Sequence, residues 1–284
     1  MSKTISVIGL GLIGGSMALD LKKSGFASKI IGVDKSKFHE KQAMELSIVN
    51  IIMPIEEAIR ASDLTILSTP VDASMKLLPH ILDILPSNSV LMDVGSTKSS
   101  LIEKVKDHPN RKFYVPSHPM AGTEYSGPSA AFHGLFKDRA AIICNSEDSF
   151  PKAVHLVSEV YDHLGSRLIL MDAEAHDEHV GYVSHLSHAI SYALAVSVLE
   201  KEKDDAAIFN LASGGFASTV RLAKSSVDMW LPIFEQNSKY ILPILDTYLD
   251  KLTEFKSYLE RREMEHLYEF IKEANRINDK LEKK

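Results

Sequence analysis

An α/β fold, a doubly wound and mostly parallel sheet followed by an all-helical dimerisation domain, is what this sequence predicts. Three observations carry that expectation. Short β-rich runs alternate with amphipathic helical stretches up to about residue 170. The first of those runs leads directly into a glycine-rich turn. Beyond Met171 the alternation stops and helical periodicity takes over. The predicted boundary separates residues 1–170, a nucleotide-binding domain, from residues 171–284, a helical substrate and dimerisation domain.

Composition narrows the classes. The chain has 284 residues, 45% apolar and 25% charged, which is ordinary globular composition with ample core. A net charge of −6 gives no basic footprint for nucleic acid, and no dense basic block suits an anionic membrane. The one cysteine, Cys144, excludes an intramolecular disulfide and is compatible with a reducing compartment. It ends the apolar run 140–144 and reads as a buried strand residue, not a reactive thiol. Lys3 followed by residues 5–18 superficially resembles a secretion signal. That run is too short to span a bilayer, Asp20 closes it, and no small-residue cleavage site follows, so a cytoplasmic protein is expected.

Residues 4–8 form a β-rich run that enters Gly9-Leu10-Gly11-Leu12-Ile13-Gly14-Gly15, a G-x-G-x-x-G turn before a helix over 13–23. Gly9 permits the tight turn, Gly11 lets backbone approach a pyrophosphate, and Gly14 lets the helix pack on the strand. The helix N-terminus, at Leu12 and Ile13, offers unpaired N–H groups to phosphates. A second strand over 29–33 ends at Asp34, twenty residues after Gly14. A carboxylate there accepts hydrogen bonds from ribose hydroxyls and repels the extra phosphate of NADP, so a Rossmann-type domain with NAD is expected. Further strands fall at 64–68, 90–93, 112–115, 140–144 and 168–170, with helices at 73–85, 98–105 and 151–164. Thr69-Pro70 and Val94-Gly95-Ser96-Thr97-Lys98 follow strands, which puts them on the cofactor side. Ser96 also fits a helix N-cap, and the two roles are compatible.

Ser117-His118-Pro119-Met120-Ala121-Gly122-Thr123-Glu124 combines a histidine, hydroxyls and a carboxylate with the breakers Pro119 and Gly122, and predicts a shaped loop facing a cleft. His118 fits two roles. It can accept a proton from an alcohol whose carbon loses hydride, or it can cap loop backbone.

In the second half, residues 173–199 read as helix. Ala193, Leu194, Val196, Val198 and Leu199 make it apolar over much of its circumference, which predicts central burial. Gly214-Gly215 breaks the chain. From Met229 apolar residues recur at Ile241, Leu245, Tyr248, Leu252, Phe255 and Leu259, with Pro243 expected to kink or restart that helix. The charged tail from Arg261 carries Leu267, Phe270 and Ile271 on one face. So much apolar helical surface predicts a homodimer. His176, His179, His185 and His188 invite a metal, yet at about 100° per residue His176 and His185 point to opposite sides of one helix. No metal is expected; hydrogen-bonded core histidines or substrate contacts account for them better.

The glycine turn, Asp93-Val94-Gly95-Ser96, the 118–124 run, Ser184-His185-Leu186-Ser187-His188 and Arg221 with Met229-Trp230 together resemble the prephenate/arogenate dehydrogenases of tyrosine biosynthesis. The resemblance covers nearly the whole chain, in order. It implies NAD-dependent oxidative decarboxylation of prephenate to 4-hydroxyphenylpyruvate, driven downhill by aromatisation. It casts His118 as the acceptor of the ring hydroxyl proton and Ser96 as the bridge between hydroxyl, histidine and nicotinamide. Arg221 grips the ring carboxylate, and Thr123, Glu124, His188 and Trp230 line the substrate pocket. In some members Glu124 joins a charged gate with the arginine and an aspartate three residues before it; that position here is Ser218. Neither a chorismate mutase fusion nor an ACT regulatory domain fits the chain, so tyrosine is expected to inhibit by competing at the active site. Arogenate dehydrogenase is the near alternative. A β-hydroxyacid dehydrogenase lacks its lysine motif around Gly214 or Lys224, and a non-enzymatic NAD-sensing dimer would not need His118, Ser96 and Arg221 together.

Overall fold

The computed structural model describes residues 2–203 and 206–281, and contacts divide the chain into two compact units, Met1–Asn237 and Ser238–Lys284. Strands of the first unit are β1 (Lys3–Ile8), β2 (Ala27–Val33), β3 (Ile51–Ile52), β4 (Leu64–Leu67), β5 (Val90–Asp93), β6 (Tyr114–Pro119), β7 (Ala140–Cys144) and β8 (Arg167–Met171). The described residues form one eight-stranded sheet in the order β3-β2-β1-β4-β5-β6-β7-β8. Every pairing is parallel except β6 with β7. Strand order reverses between β1 and β4, so their carboxyl ends open the crevice where such sheets bind ligands.

Helices cover the sheet because alternate residues of each strand enter different cores. Ile66, Met92 and Val115 pack with Met17 and Leu21 of α1 (Leu12–Lys23) and Val157 and Val160 of α6 (Pro151–His163). Their neighbours Leu67, Leu91 and Tyr114 pack with residues of α3 (Ile55–Arg60), α4 (Val71–Ile84) and α5 (Ser99–Val105). Burial on both faces explains why these strands read as continuous apolar runs. The remaining helix of this region is α2 (Lys37–Glu45), capped by the Ser36 side chain.

Three expectations need correction here. Ser117, His118 and Pro119 are the end of β6, not loop, because they pair antiparallel with Ile143, Ile142 and Ala141 of β7. Pairing with a distant strand outweighs the local breaker signal, and the loop starts only at Met120. Since β5 pairs with β6 only as far as Pro116, His118 stands beyond the carboxyl edge of the parallel strands.

After β8 come α7 (Ala173–Val180), a π-turn (Gly181–His185) and α8 (Leu186–Glu202). The expected central burial of this stretch does not hold: within α8 only Ser191 is buried, and Val183 of the π-turn is 71% exposed. Its apolar surface finds no cover among the described residues of the first unit. Short α9 (Gly214–Thr219) leads to α10 (Val227–Gln236), whose Trp230 and Ile233 pack on Val71 of α4.

The second unit holds α11 (Ser238–Arg261), α12 (Met264–Asn275) and α13 (Ile277–Leu281). Helix α11 runs through Pro243 as one element; the interruption lies at Asn237, where α10 ends. Phe270 of α12 meets Phe255 and Tyr258 of α11 at ring distances of 5.8 and 6.4 Å, and Arg262 turns the chain between them with φ +56°.

Candidate active site

The crevice between β1 and β4 is a cleft of about 740 Å³, bordered by Gly9, Gly11, Asp34, Thr69 and Pro70. Two glycines are sterically obligatory. Gly9 has φ +97°, and a Cβ on it would lie 2.4 Å from the Ser68 carbonyl oxygen. A Cβ on Gly14 would lie 2.2 Å from the Gly9 carbonyl oxygen, so the helix reaches the strand only without one. Leu12 is buried and Ile13 packs against the same core, so both can offer the cleft only backbone N–H groups. Asp34 accepts hydrogen bonds from Leu10 N (2.9 Å) and Ser36 N (2.8 Å), which fixes its carboxylate at the cleft rim. Obligatory glycines and a held carboxylate around one cleft are the elements from which a dinucleotide cradle is built. Gly14→Ala is expected to cost about 1–3 kcal/mol of stability by overpacking and to weaken nucleotide binding. Thermal melts with and without nucleotide check it; an unchanged melting temperature would mean that the helix can back away freely.

Beside that cleft, a buried charged group underlies His118. Lys98, fully buried, pairs with Asp93 and donates to the Ser117 carbonyl oxygen at 2.9 Å. Asp93 also accepts from Tyr114 Oη and Gly95 N, both at 2.8 Å. These bonds tie the ends of β5 and β6 together directly below the histidine.

His118 Nδ1 lies 2.9 Å from His176 Nε2, and His176 Nδ1 lies 2.8 Å from Asp177 Oδ1. Asp177 accepts from Lys98 N and Ser99 N, each at 2.8 Å, and so caps α5. Ser96 is therefore not the cap; Lys98 occupies that position and its side chain makes no capping bond. Burial, and then the neighbouring His176, Lys98 and His185, hold His118 well below the ordinary histidine value. The imidazole is neutral at physiological pH, the state that a proton acceptor needs. Burial pushes the Asp177 carboxyl up, but the hydrogen bond from His176 and the Ser99 amide outweigh it and hold the group low.

From Asp177 a chain of contacts leads round to the loop after β6. Asn237 Nδ2 donates to the Asp177 carbonyl oxygen (2.8 Å) and to His185 Nδ1 (2.9 Å). His185, lowered to about 4 chiefly by burial, meets the Trp230 ring edge-on at 5.7 Å. Trp230 stacks on His188 at 3.5 Å, and Arg221 is near enough to act electrostatically on His188. Arg221 Nη1 lies 3.5 Å from Glu124 Oε2, which returns to the loop. Thr123 Oγ1 accepts from Tyr125 N at 3.2 Å, a local turn that shapes the loop. Ser96, two residues before the Asp177-bonded Lys98, has its segment anchored by Thr97 Oγ1 donating to Gln236 Oε1 at 2.9 Å. Half-exposed Arg221 and partly buried Glu124 form an ion pair without the aspartate that Ser218 replaces.

Asp177 and Asn237 were not singled out by sequence as parts of the site; His176 was expected as a hydrogen-bonded histidine or substrate contact and Lys98 only as part of the 94–98 segment, and neither was paired with its partners here. The helical-wheel objection to His176 and His185 assumed one regular helix, whereas the π-turn between them advances less per residue and brings both inward. His179 stays exposed. Among the described residues no three His, Cys, Asp or Glu side chains are grouped to hold a metal ion.

Comparisons with known proteins bear on this arrangement. Residues 17–170 match the nucleotide-binding domain of prephenate dehydrogenase, and residues 172–273 match its dimerization domain. A cyclohexadienyl dehydrogenase of Zymomonas mobilis is 33% identical over 96% of this chain and 94% of that one. The Aquifex aeolicus prephenate dehydrogenase structure with hydroxyphenyl propionate and NAD+ superposes with a TM-score of 0.88 at 28% identity, over 99% and 98% of the two chains. A Synechocystis arogenate dehydrogenase structure gives 0.80 at 26% identity, over 98% and 99%. With both halves matched and near full-length likeness to such dehydrogenases, the chain belongs to the prephenate dehydrogenase family.

Proposed function

We propose that this dehydrogenase oxidatively decarboxylates prephenate to 4-hydroxyphenylpyruvate with NAD. The chief support is the contact chain from His118 round to Glu124, which links a neutral imidazole to a guanidinium through His176, Asp177, Asn237, His185, Trp230 and His188. When bound, NAD supplies the hydride acceptor for the carbinol carbon. His118 holds the hydroxyl proton while the ring is oxidised, and returns it to the phenolic oxygen after carbon dioxide departs. The proton count is then unchanged overall. Ser96 would bridge the hydroxyl and the histidine to the nicotinamide once the cofactor is bound. Arg221 holds the ring carboxylate, with Thr123, Glu124, His188 and Trp230 as the pocket wall. Gly9, Gly11, Gly14, Thr69, Pro70 and the amides of Leu12 and Ile13 hold the cofactor, with Asp34 selecting NAD over NADP.

Comparing kcat/KM for prephenate and arogenate, each with NAD and NADP, tests this reading. Prephenate with NAD is expected to be best. A preference for arogenate with NADP would remove both the substrate assignment and the role of Asp34. Arogenate is the second reading, favoured by the likeness to the Synechocystis enzyme. Arg221→Ala is expected to raise KM for the ring substrate about 10- to 100-fold with little change in kcat, the size of a lost charge-assisted contact present in the ground state. Steady-state kinetics check it; a fall in kcat at constant KM would give Arg221 another task. Tyrosine should compete with prephenate for the same wall, and a non-competitive pattern would exclude that. Residues 1–170 carry the cofactor and the His118, Ser96, Thr123 and Glu124 side of the substrate pocket in this scheme, and residues 171–284 the rest of that pocket and the subunit contact. A second copy in a cytoplasmic homodimer then covers the exposed apolar side of α8.

A further inference from the structure

We propose that His176 and Asp177 are positioning residues that set the tautomer of His118, leaving Nε2 as its basic nitrogen. This rests on the reading of His118 as proton acceptor, and it follows from donor and acceptor bookkeeping along the buried row.

Asp177 is the fixed end. Its Oδ1 and Oδ2 already accept from the Lys98 and Ser99 amides, so the ionised carboxylate can only accept from His176. The proton in the 2.8 Å contact therefore sits on His176 Nδ1. Of the neutral tautomers of His176, the one with its proton on Nδ1 leaves Nε2 bare, and a bare Nε2 can only accept. In the 2.9 Å contact between the rings, the donor must be His118 Nδ1. A neutral His118 with its proton on Nδ1 has its lone pair on Nε2. The rings stand edge to face, 75° apart, so the bond also fixes the plane of the imidazole. His176 is fully buried and Asp177 nearly so, and water cannot compete for these bonds.

The row also serves the protonated state. When His118 takes the hydroxyl proton it becomes a cation close to the Lys98 ammonium. The carboxylate of Asp177, one ring away, balances that charge, while Asp93 is already committed to Lys98. Without His176 the acceptor for Nδ1–H disappears, and His118 is free to carry its proton on Nε2, where it cannot act as a base.

Side-chain proton–nitrogen correlation spectra of the ¹⁵N-labelled full chain with NAD bound, at neutral pH, test this directly. His118, assigned by its loss in His118→Asn, is expected as the Nδ1–H tautomer, and so is His176. His176→Leu should lower kcat by about a hundredfold with KM for prephenate and NAD affinity changed less than about threefold. His176→Gln should stay within about tenfold of the wild-type kcat, since Asp177 draws its amide N–H and leaves its oxygen for His118. A purely structural role would lower melting temperature in both variants without moving the His118 tautomer or kcat. An Nε2–H tautomer at His118 in the wild type, or a wild-type kcat in His176→Leu, overturns the proposal. Should the leucine variant fail to fold, the wild-type spectrum and the glutamine variant still decide. Undiminished turnover in His118→Asn would instead remove the proton-acceptor reading itself.

Discussion

His118→Asn is expected to cut kcat by about 10²–10⁴-fold while leaving NAD affinity nearly intact, because positioned proton transfer is worth that much. The substitution is mild structurally. An asparagine amide reaches roughly the place of Nδ1 and can still donate to His176 Nε2, so the buried row keeps its partner. Only the distal basic nitrogen is lost. The pH profile gives a second reading of the same group. With His118 held low by burial and by its neighbours, protonation switches the wild-type enzyme off only below the ordinary histidine value of about 6.5. The free-enzyme kcat/KM should therefore stay level across neutral pH and fall on the acid side. Steady-state kinetics between acid and mildly alkaline pH, with cofactor binding followed separately, measure both effects. An unchanged kcat in the variant, or an acid limb centred above neutrality, would take His118 out of the proton transfer.

Lys98→Met should give the largest stability loss, about 3–5 kcal/mol, the usual result of removing one member of a buried ion pair. Both charges are fully buried, and Asp93 would remain in the core without its cation. For a unit of this size that corresponds to roughly 10 °C in melting temperature. Asp93 keeps its neutral donors, Tyr114 Oη and Gly95 N, but neither supplies a charge. Adding Asp93→Asn should recover part of the loss, since the orphaned charge and not the missing bond is the main penalty. Denaturant melts of the single and double variants measure it. A single variant that melts with the wild type, or a double variant worse than the sum of its parts, would mean that the pair does not brace β5 against β6.

The cofactor half of the site was legible in sequence because its information is local. Gly9, Gly11, Gly14 and Asp34 lie on consecutive elements of one β-α-β unit, and their spacing carries the geometry. Strand β3, only two residues long, leaves no periodicity to detect. Other features depend on partners far along the chain. His118 read as loop because Pro119 and Gly122 stand beside it, while the strand that claims it begins at Ala140. His176 lies 58 residues from the histidine it touches, and nothing in its own neighbourhood signals that contact. The π-turn defeated the helical wheel because one wide turn shifts the phase of everything after it. Helix α8 read as a core helix since composition reports that a face is apolar, not what it meets.

The antiparallel turn from β6 into β7 has an evolutionary consequence. Met120 N donates to the Ala140 carbonyl oxygen at 2.8 Å, so the segment between them leaves and re-enters the sheet at one closed gate. Ala121, Thr123 and Glu124 lie on it, as does Gly127 at the edge of the nucleotide cleft. Leu135 and Phe136 anchor the later part of that segment in the core, so only its exposed stretch about Tyr125 and Ser126 can change length without moving a strand, and the entropic cost of added residues there grows only slowly with length. On the proposed reading of the site, substrate choice can therefore diverge through this short exposed stretch, while the His118–His176–Asp177 row keeps its place.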